Sequence, residues 1–572
     1  MPRIDLLRTT WTDDPLAGLA GGHPRLLLDA AARSRIAAAR PHPVGSRLWE
    51  ALAARGAGFL DQPVRVERTL SAARASLDLV YTVGLLAQVT GEARWAERAI
   101  AEAEALAALP DWNPADWLTL AETMHAVAIV LDWCAPWLKR DPGDRRAGLL
   151  AALVAKGLDA ADHAYACRAW WWRDTANWNA VCNGAVLIAC LVAADERPGQ
   201  CRRLAGYALQ GLPLHLGRMA PDGAHEEGPG YWAYSWRYLS TTIGCLRTAL
   251  GHDHGLGDIP WLAGTAAFRI HHQGPTGRFF AWADSYREAP FDPNLLWLAR
   301  NAGLPGVAAM ARRDAGRAAT SLFFGAIARA LIDWSGDGSE ADMQAMPLTA
   351  RFRGAEVCFA RTGWDDGATW AGLKGGDVQA PHAHLDLGAV VAEAAGVRWL
   401  DDPGGGDYGE PGYWHGRPDT DGGRWRTFAC GAGGHCTVLI DGGDAHTLAQ
   451  MHLEPGEALA VVSDTAFADR GVTRWRRELT EVSPGRIVVT DTVVCTRPVR
   501  ATLVFITPCT ATASGAAVRL DAGNRSALLN LAGCALQAVI EPRVSGDWTR
   551  VAWTVPLPAG RHRLESRLTL VE

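Results

Sequence analysis

The 572-residue chain has no Cys-x-x-Cys pair among its 12 cysteines and no excess of basic over acidic side chains. No stretch reaches the about 18 consecutive apolar residues that a membrane span needs. Each absence excludes something. Cysteines scattered singly form no disulfide framework and read as small buried groups of a reducing compartment. Without a long apolar run, no membrane partner is expected. A formal net charge of -6 argues against nucleic acid as the main partner, although a local basic cleft can still hold an anion. The N-terminus, Met1-Pro2-Arg3-Ile4-Asp5, lacks the apolar core of a signal peptide. The expected location is therefore the cytoplasm as the sequence is written, or the periplasm if the N-terminus is incomplete. Self-association into a homo-oligomer is left open.

What is present is ordinary apart from tryptophan. Hydrophobic residues make up 48% and charged residues 21%, and the length calls for two or three domains. The 25 Trp, against 9 Tyr and 12 Phe, exceed the usual balance. Many belong in a core, but indole is also a good platform for a sugar ring.

Through about residue 335 the chain reads as helix after helix. Leu77, Val80, Tyr81, Gly84 and Leu85 recur at helical spacing, Gly91 breaks the pattern, and Trp95–Leu109 resumes it until Pro110. Further helices are expected over Leu118–Trp133, Asp144–Ala161, Asn179–Ala193, Leu204–Leu216, Tyr231–Leu250, Leu295–Ala311 and Ala318–Trp334. Short connections between them suggest paired antiparallel helices in a toroid or solenoid. After Gly336-Asp337-Gly338-Ser339 the pattern turns to alternation rich in Val, Thr and Gly, with a hairpin around Ser483-Pro484-Gly485-Arg486. The fold class is thus multidomain α + β: a helical domain over residues 1–340, then an antiparallel β-sandwich over 345–572.

Three constellations carry chemistry. In His382-Ala383-His384-Leu385-Asp386 the alternation of a strand would turn both imidazoles to one side. With Asp402 before a Pro-Gly turn and His435 opening a later strand, His384, Asp402 and His435 make a set of two imidazoles and a carboxylate suited to zinc. The competing reading is a polar strand end hydrogen-bonded without metal. The second constellation, Glu227-Gly228-Pro229-Gly230-Tyr231-Trp232, delivers Tyr231 to a helix N-terminus, where the positive end of the helix dipole favours a phenolate. Tyr234 and Tyr238 follow on the same face, and an aromatic core face is the plainer reading for Tyr238. In the third, Asn177-Trp178-Asn179 and Asn183 precede or open an apolar helix beside Trp170, Trp171 and Trp172. These amides serve either as helix caps or as groups that bind a carboxylate, with indoles stacking on sugar.

Taken in order, these motifs resemble the heparinase II/III-like polysaccharide lyases, and the resemblance spans nearly the whole chain. It implies that the helical domain is an incomplete (α/α) toroid. It implies cleavage of uronic-acid-containing glycans by β-elimination, giving a 4,5-unsaturated uronate end. It also implies a zinc ion, structural in role, on His384, Asp402 and His435. His382 and Tyr231 would be catalytic, and Asn177 would neutralise the uronate carboxylate. The chain departs from several relatives in having Trp178 after Asn177 and Cys436 after His435.

The side-chain types suit that chemistry. The C5 proton of a uronate is very weakly acidic until its carboxylate is neutralised or hydrogen-bonded. Asn177, helped by Glu227, is expected there, with Trp178 against the sugar. Tyr231 or His382 takes the proton and Tyr231 protonates the leaving oxygen. Tyr408 and Arg424 or Arg426 are expected to line the cleft. The partner is an acidic polysaccharide or oligosaccharide of glycosaminoglycan or alginate type. Two other readings compete. A glycoside hydrolase would need paired carboxylates, for which Glu226, Glu227 and Asp284 are available. A non-catalytic carbohydrate-binding protein would need none of the catalytic groups.

Overall fold

The computed structural model describes residues 14–571 except 65, 141–142, 318–324 and 417–420. A helical half is followed by a half built of antiparallel sheet, as the periodicity predicts. The chain forms two compact units that are not divided at a single point in the sequence. The first comprises Met1–Ala220, Ala233–Ala263 and Pro290–Asp342; the second comprises Pro221–Trp232, Gly264–Ala289 and Met343–Glu572.

In the first unit the helix Leu70–Thr90 starts where the Thr69 side chain accepts from the Ala72 amide, and it ends at Gly91 in the left-handed region (φ 73°). The expected apolar stripe is wider than predicted: every residue from Ser76 to Ala87 is buried. By length and composition this helix is apolar enough to cross a membrane, but it is mostly buried as a core helix. It packs on Trp117–Trp133, which packs on Asn177–Ala193, which packs on Pro198–Arg218, so helices separated in sequence are neighbours as well as consecutive ones. The helix expected over Leu295–Ala311 is two, Asn294–Ala302 and Pro305–Arg317. Gly303 (φ 64°) and Pro305 separate them, one by reversing the backbone and the other because proline restricts the residue before it. The Asp144–Ala161 segment is realised as Arg145–Ala152, a π-helical stretch Leu153–Leu158, and Asp159–Ala166. Of the helix expected over Ala318–Trp334, residues 318–324 lie outside the described residues, and Ala326–Ile332 is helical.

In the second unit the strands pair antiparallel throughout the described residues. The predicted hairpin joins Val472–Ser483 to Arg486–Cys495, with Ser483 opposite Arg486 across Pro484-Gly485. Gly485 takes the positive φ of 71° that the two-residue turn requires. These long strands lie within a nine-stranded sheet, beside sheets of five and four strands. Trp399, Trp475, Phe505 and Trp553 fill the core beneath them.

Most tryptophans are core, as Trp112, Trp133, Trp232, Trp282 and Trp370 illustrate. Among the described residues the exposed tryptophans are Trp170 and Trp414, at 58% and 56%, and each lies beside a predicted site residue.

Candidate active site

Within the second unit, four segments converge: the end of Pro221–Trp232, Ala281–Ser285, and the loops at 380–386 and 402–414. Their closeness depends on glycine. Gly228 has φ 87°, and a Cβ there would lie 2.7 Å from the Trp282 carbonyl oxygen; one on Gly404 (φ 72°) would lie 2.4 Å from the Ser285 carbonyl oxygen. The Gly230 amide donates to Ser285 Oγ (2.9 Å) and the Gly405 amide to the Ser285 carbonyl (2.8 Å), so both glycine turns are tied to one loop. Tyr231 leaves the first of them in the opening turn of the helix Gly228–Leu250.

His382 and His384 do not lie on a strand, which corrects the sequence expectation. The segment is a turn, and His382 has a positive φ of 60°, so the side-chain alternation of extended backbone is lost. The two imidazoles nevertheless meet one carboxylate. His382 Nδ1 is 2.7 Å from Asp284 Oδ2, and His384 Nε2 is 3.0 Å from Asp284 Oδ1. Ala283, just before that carboxylate, also has a positive φ (55°), so a strained residue stands on each of the loops that meet there.

Asp284 is the centre of the arrangement. Its side chain is fully buried, and it also accepts from Tyr413 Oη and from Arg424 Nη2 (2.9 Å). Burial alone would raise its pKa, but the hydrogen bonds from His382 and His384 and the charges of His384 and Arg424 hold the carboxyl well below the usual range. An ionised carboxylate only accepts, so each imidazole donates to it. His382 therefore carries its proton on Nδ1 and leaves Nε2 for chemistry.

Tyr231 stacks on His382 with ring centroids 4.1 Å apart and planes 24° apart. Its hydroxyl is 2.8 Å from that of Tyr408. Burial, the neighbouring Tyr231 and Asp284 raise the Tyr408 phenol above its ordinary value. Trp414 stands edge-on to both His382 and Tyr408 and offers an exposed indole. Arg424 reaches the same cluster but is buried. It donates to the Ala383 carbonyl (3.0 Å) and the His382 carbonyl (2.9 Å) as well as to Asp284, so it braces the histidine turn. Arg426 is exposed and pairs with Asp421. Glu227 is buried in the turn before the helix.

Of the predicted metal ligands, His435 Nδ1 is 2.9 Å from Asp402 Oδ2 and the His384 and His435 rings are 5.4 Å apart. His384 Nδ1 and His435 Nε2 are buried without hydrogen-bond partners. Two buried ring nitrogens without a hydrogen-bond partner, each on an imidazole whose other nitrogen faces a carboxylate, suit a metal ion that displaces any proton they carry. A second set of donors shares His384: Asp284, His384 and Cys430 bring one ligand atom each to within 4.8 Å of one another. Burial would lower the His384 pKa, but Asp284 and Cys430 beside it push it up to about 9.

In the first unit, Asn177 is buried at the first turn of the helix Asn177–Ala193. The other two amides have structural work. Asn179 Nδ2 donates to the Trp172, Asp174 and Gly211 carbonyls, and Asn183 Nδ2 donates to Trp172 while its Oδ1 accepts from Tyr165. The four indoles also divide. Trp171 is buried and Trp172 donates to the Tyr207 carbonyl, whereas Trp178 is half-buried beside exposed Trp170, with centroids 4.9 Å apart.

The sequence reading missed Tyr413, Trp414 and Cys430, and considered Asp284 only as a hydrolase carboxylate. No local spacing signals them, because Asp284 meets His382, Tyr413 and Arg424 across 98, 129 and 140 residues.

Residues 353–563 match the Heparinase II/III-like, C-terminal family. No curated protein matches the chain. Among solved structures, the fold is similar to heparan sulfate lyase HepC from Pedobacter heparinus, at TM-score 0.60 and 13% identity over 90% of this chain and 78% of that one. It is also similar to the heparinase III BT4657 gene product, at TM-score 0.62 and 14% identity over 90% and 80%. A Paenibacillus xanthan lyase matches at TM-score 0.50 and 9% identity, over 93% of this chain and 57% of that one. The C-terminal part of the chain thus carries a Heparinase II/III-like domain, and the fold as a whole is similar to that of these polysaccharide lyases.

Proposed function

We propose that the protein cleaves a uronic-acid-containing glycan, of glycosaminoglycan or alginate type, by β-elimination. The observation that carries this reading is Tyr231 stacked on His382, with the Tyr231 hydroxyl on Tyr408 and His382 anchored through Nδ1 on ionised Asp284. In the reaction the C5–H bond breaks, the electron pair forms the C4–C5 double bond, and the C4–O bond breaks with a proton delivered to the leaving oxygen. Tyr231 supplies that proton. Where acid and base approach from one face of the sugar, Tyr231 also takes the C5 proton; where they approach from opposite faces, His382 Nε2 takes it. Asn177 binds the uronate carboxylate so that the developing charge can spread onto it, with Glu227 assisting. Trp178 and Tyr408 contact the sugar.

We further propose a zinc ion at His384, structural in role, holding the turn that presents His382. The resemblance names Asp402 and His435 as its partners. The group would supply a fixed cross-link between loops, while the proton transfers belong to Tyr231 and His382.

The hydrolase reading loses support from Asp284: a carboxylate bonded by four donors and held ionised is unsuited to donate a proton to a leaving group. Incubation with a panel of polyuronates, followed by ultraviolet absorbance and mass, tests the proposal. A new absorbance with no added water is expected. A product heavier by one water and lacking the absorbance overturns it.

A further inference from the structure

We propose that Arg74 binds an oxyanion of the glycan, a uronate carboxylate or a sulfate ester, on a sugar flanking the one that reacts; this rests on the reading of the protein as a lyase of acidic glycans. Three observations on the first unit carry it.

First, Arg74 is held along one edge only. Its Nε donates to Glu122 Oε1 (3.2 Å), and its guanidinium lies over the Tyr234 ring, 5.0 Å from the centroid. Neither Nη atom donates to a carboxylate or carbonyl among the described residues. Arginines that serve the fold of the same unit differ. Arg98 commits Nη1 to Glu102 (2.9 Å) and Arg329 commits Nη2 to Asp333 (2.7 Å), and both are buried. The Arg74 side chain is 40% exposed, although the Glu122 side chain that holds it is fully buried.

Second, the support is stiff. Glu122 Oε1 also accepts from Tyr234 Oη (2.9 Å), so the ion pair and the ring stack share one tyrosine. A buried carboxylate and an aromatic face thus fix the planar fork before any ligand arrives, which lowers the entropy lost on binding. Burial raises the Glu122 carboxyl above its ordinary value, so the cation it holds is incompletely neutralised.

Third, Arg74 lies at the end of the unit that carries the sugar-binding candidates. It is in the second turn of Leu70–Thr90, and Glu122 is in the second turn of Trp117–Trp133. The start of the latter helix adjoins that of Asn177–Ala193: the Trp117 carbonyl accepts from Cys182 Sγ (3.8 Å), and the Trp117 ring lies 4.5 Å from Trp171. The starts of three neighbouring helices therefore share one end, with Asn177 and the exposed Trp170 beside them. Indoles grip the face of a sugar but do not read its charge. A guanidinium with both Nη atoms uncommitted does, because two parallel N–H groups match two oxygens of a carboxylate or sulfate. On a flanking sugar this contact is the same before and during elimination, so it tightens binding without speeding the chemical step.

The test uses the whole protein with two short oligouronates, one unsulfated and one sulfated. Arg74→Gln and Arg74→Ala should raise KM by about 10–100-fold at nearly unchanged kcat, the worth of a charged hydrogen-bonded contact. Arg74→Lys, which keeps the charge and loses the fork, should fall between them and the wild type. A loss on both substrates identifies a carboxylate as the partner, and a loss confined to the sulfated one identifies a sulfate ester. The wild type gives a second readout without substitution. Phenylglyoxal, which modifies free guanidinium groups, should label Arg74 in the unliganded protein, and saturating oligouronate should protect it, as read by peptide mass. Wild-type KM in Arg74→Gln, a loss of kcat at unchanged KM, or labelling of Arg74 that oligouronate does not slow overturns the proposal. A variant that melts lower with KM unchanged assigns Arg74 to the fold instead. Should neither oligouronate yield an unsaturated product, the lyase reading falls on its own. Calorimetric binding then reads the anion site separately: binding lost in Arg74→Gln keeps it, and binding unchanged removes it.

Discussion

Asp284 and Glu122 are both carboxylates with fully buried side chains, one in each unit, and their pKa values are shifted in opposite directions. Asp284 receives His382, His384, Tyr413 and Arg424 on its two oxygens. Glu122 receives Arg74 Nε (3.2 Å) and Tyr234 Oη (2.9 Å) on a single oxygen. For Glu122 burial outweighs Arg74 and Tyr234 and the pKa rises; for Asp284 the donors win and it falls. Depth of burial is therefore a poor guide to charge. The number and sign of the donors decide it, because each must offset the hydration that the carboxylate has lost. The difference has a functional side: the ionised carboxylate sits behind a candidate catalytic histidine, and the other lies among core aromatics.

Breaking the Asp284 side of this contrast has the largest expected effect. Asp284→Asn removes the charge that four donors share, so activity falls on the order of 10²–10⁴-fold through loss of the His382 tautomer. The fold loses about 3–5 kcal/mol as buried charge is left unpaired. Unsaturated-product absorbance and thermal melting check the two parts, and a variant with wild-type values in both would remove Asp284 from its central role. Tyr231→Phe separates chemistry from stability. Activity falls on the order of 10²–10⁴-fold, because the hydroxyl that exchanges the proton is gone. The melting temperature stays within a few degrees, since the ring stack on His382 is retained.

The Glu122 side predicts a pH dependence. A group whose folded pKa is raised contributes stability that is full below its unfolded pKa and is lost as pH rises through the folded value. Glu122→Gln should therefore match the wild type near about pH 4 and become progressively the more stable of the two towards about pH 8, read as the difference in melting temperature. A difference running the other way would mean that Arg74 stabilises an ionised Glu122. The smallest effect belongs to the exposed indole: Trp170→Ala should raise KM by about 2–10-fold at unchanged kcat, the worth of one aromatic stack.

How much was legible before the fold was known differs between the two units. The helices of the first were readable because burial and period are local properties: Gly91 ends one helix and Thr69 caps its start within a few residues of sequence. The single helix expected over Leu295–Ala311 failed where Gly303 and Pro305 interrupt an apolar pattern that continues on both sides. In the second unit the hairpin at Pro484-Gly485 was legible from its turn chemistry alone. His382 and His384 were correctly paired in space by a spacing argument whose premise does not hold, since they lie in a turn and not on a strand.

The amino-acid sequence by itself determined the succession of helices and then antiparallel strands, the motifs that resemble those of heparinase II/III-like lyases, and the candidates Asn177, Tyr231, His382 and His384. Those follow from local period, turn residues and side-chain type. Only the tertiary structure decided that Asp284 is the shared partner of both histidines, that Arg424 is buried behind them, that Trp170 and Trp414 are exposed among many buried indoles, and that Cys430 meets His384. These are matters of which loops meet, and of how many donors reach a carboxylate once water has been excluded, and no stretch of chain carries that count within itself.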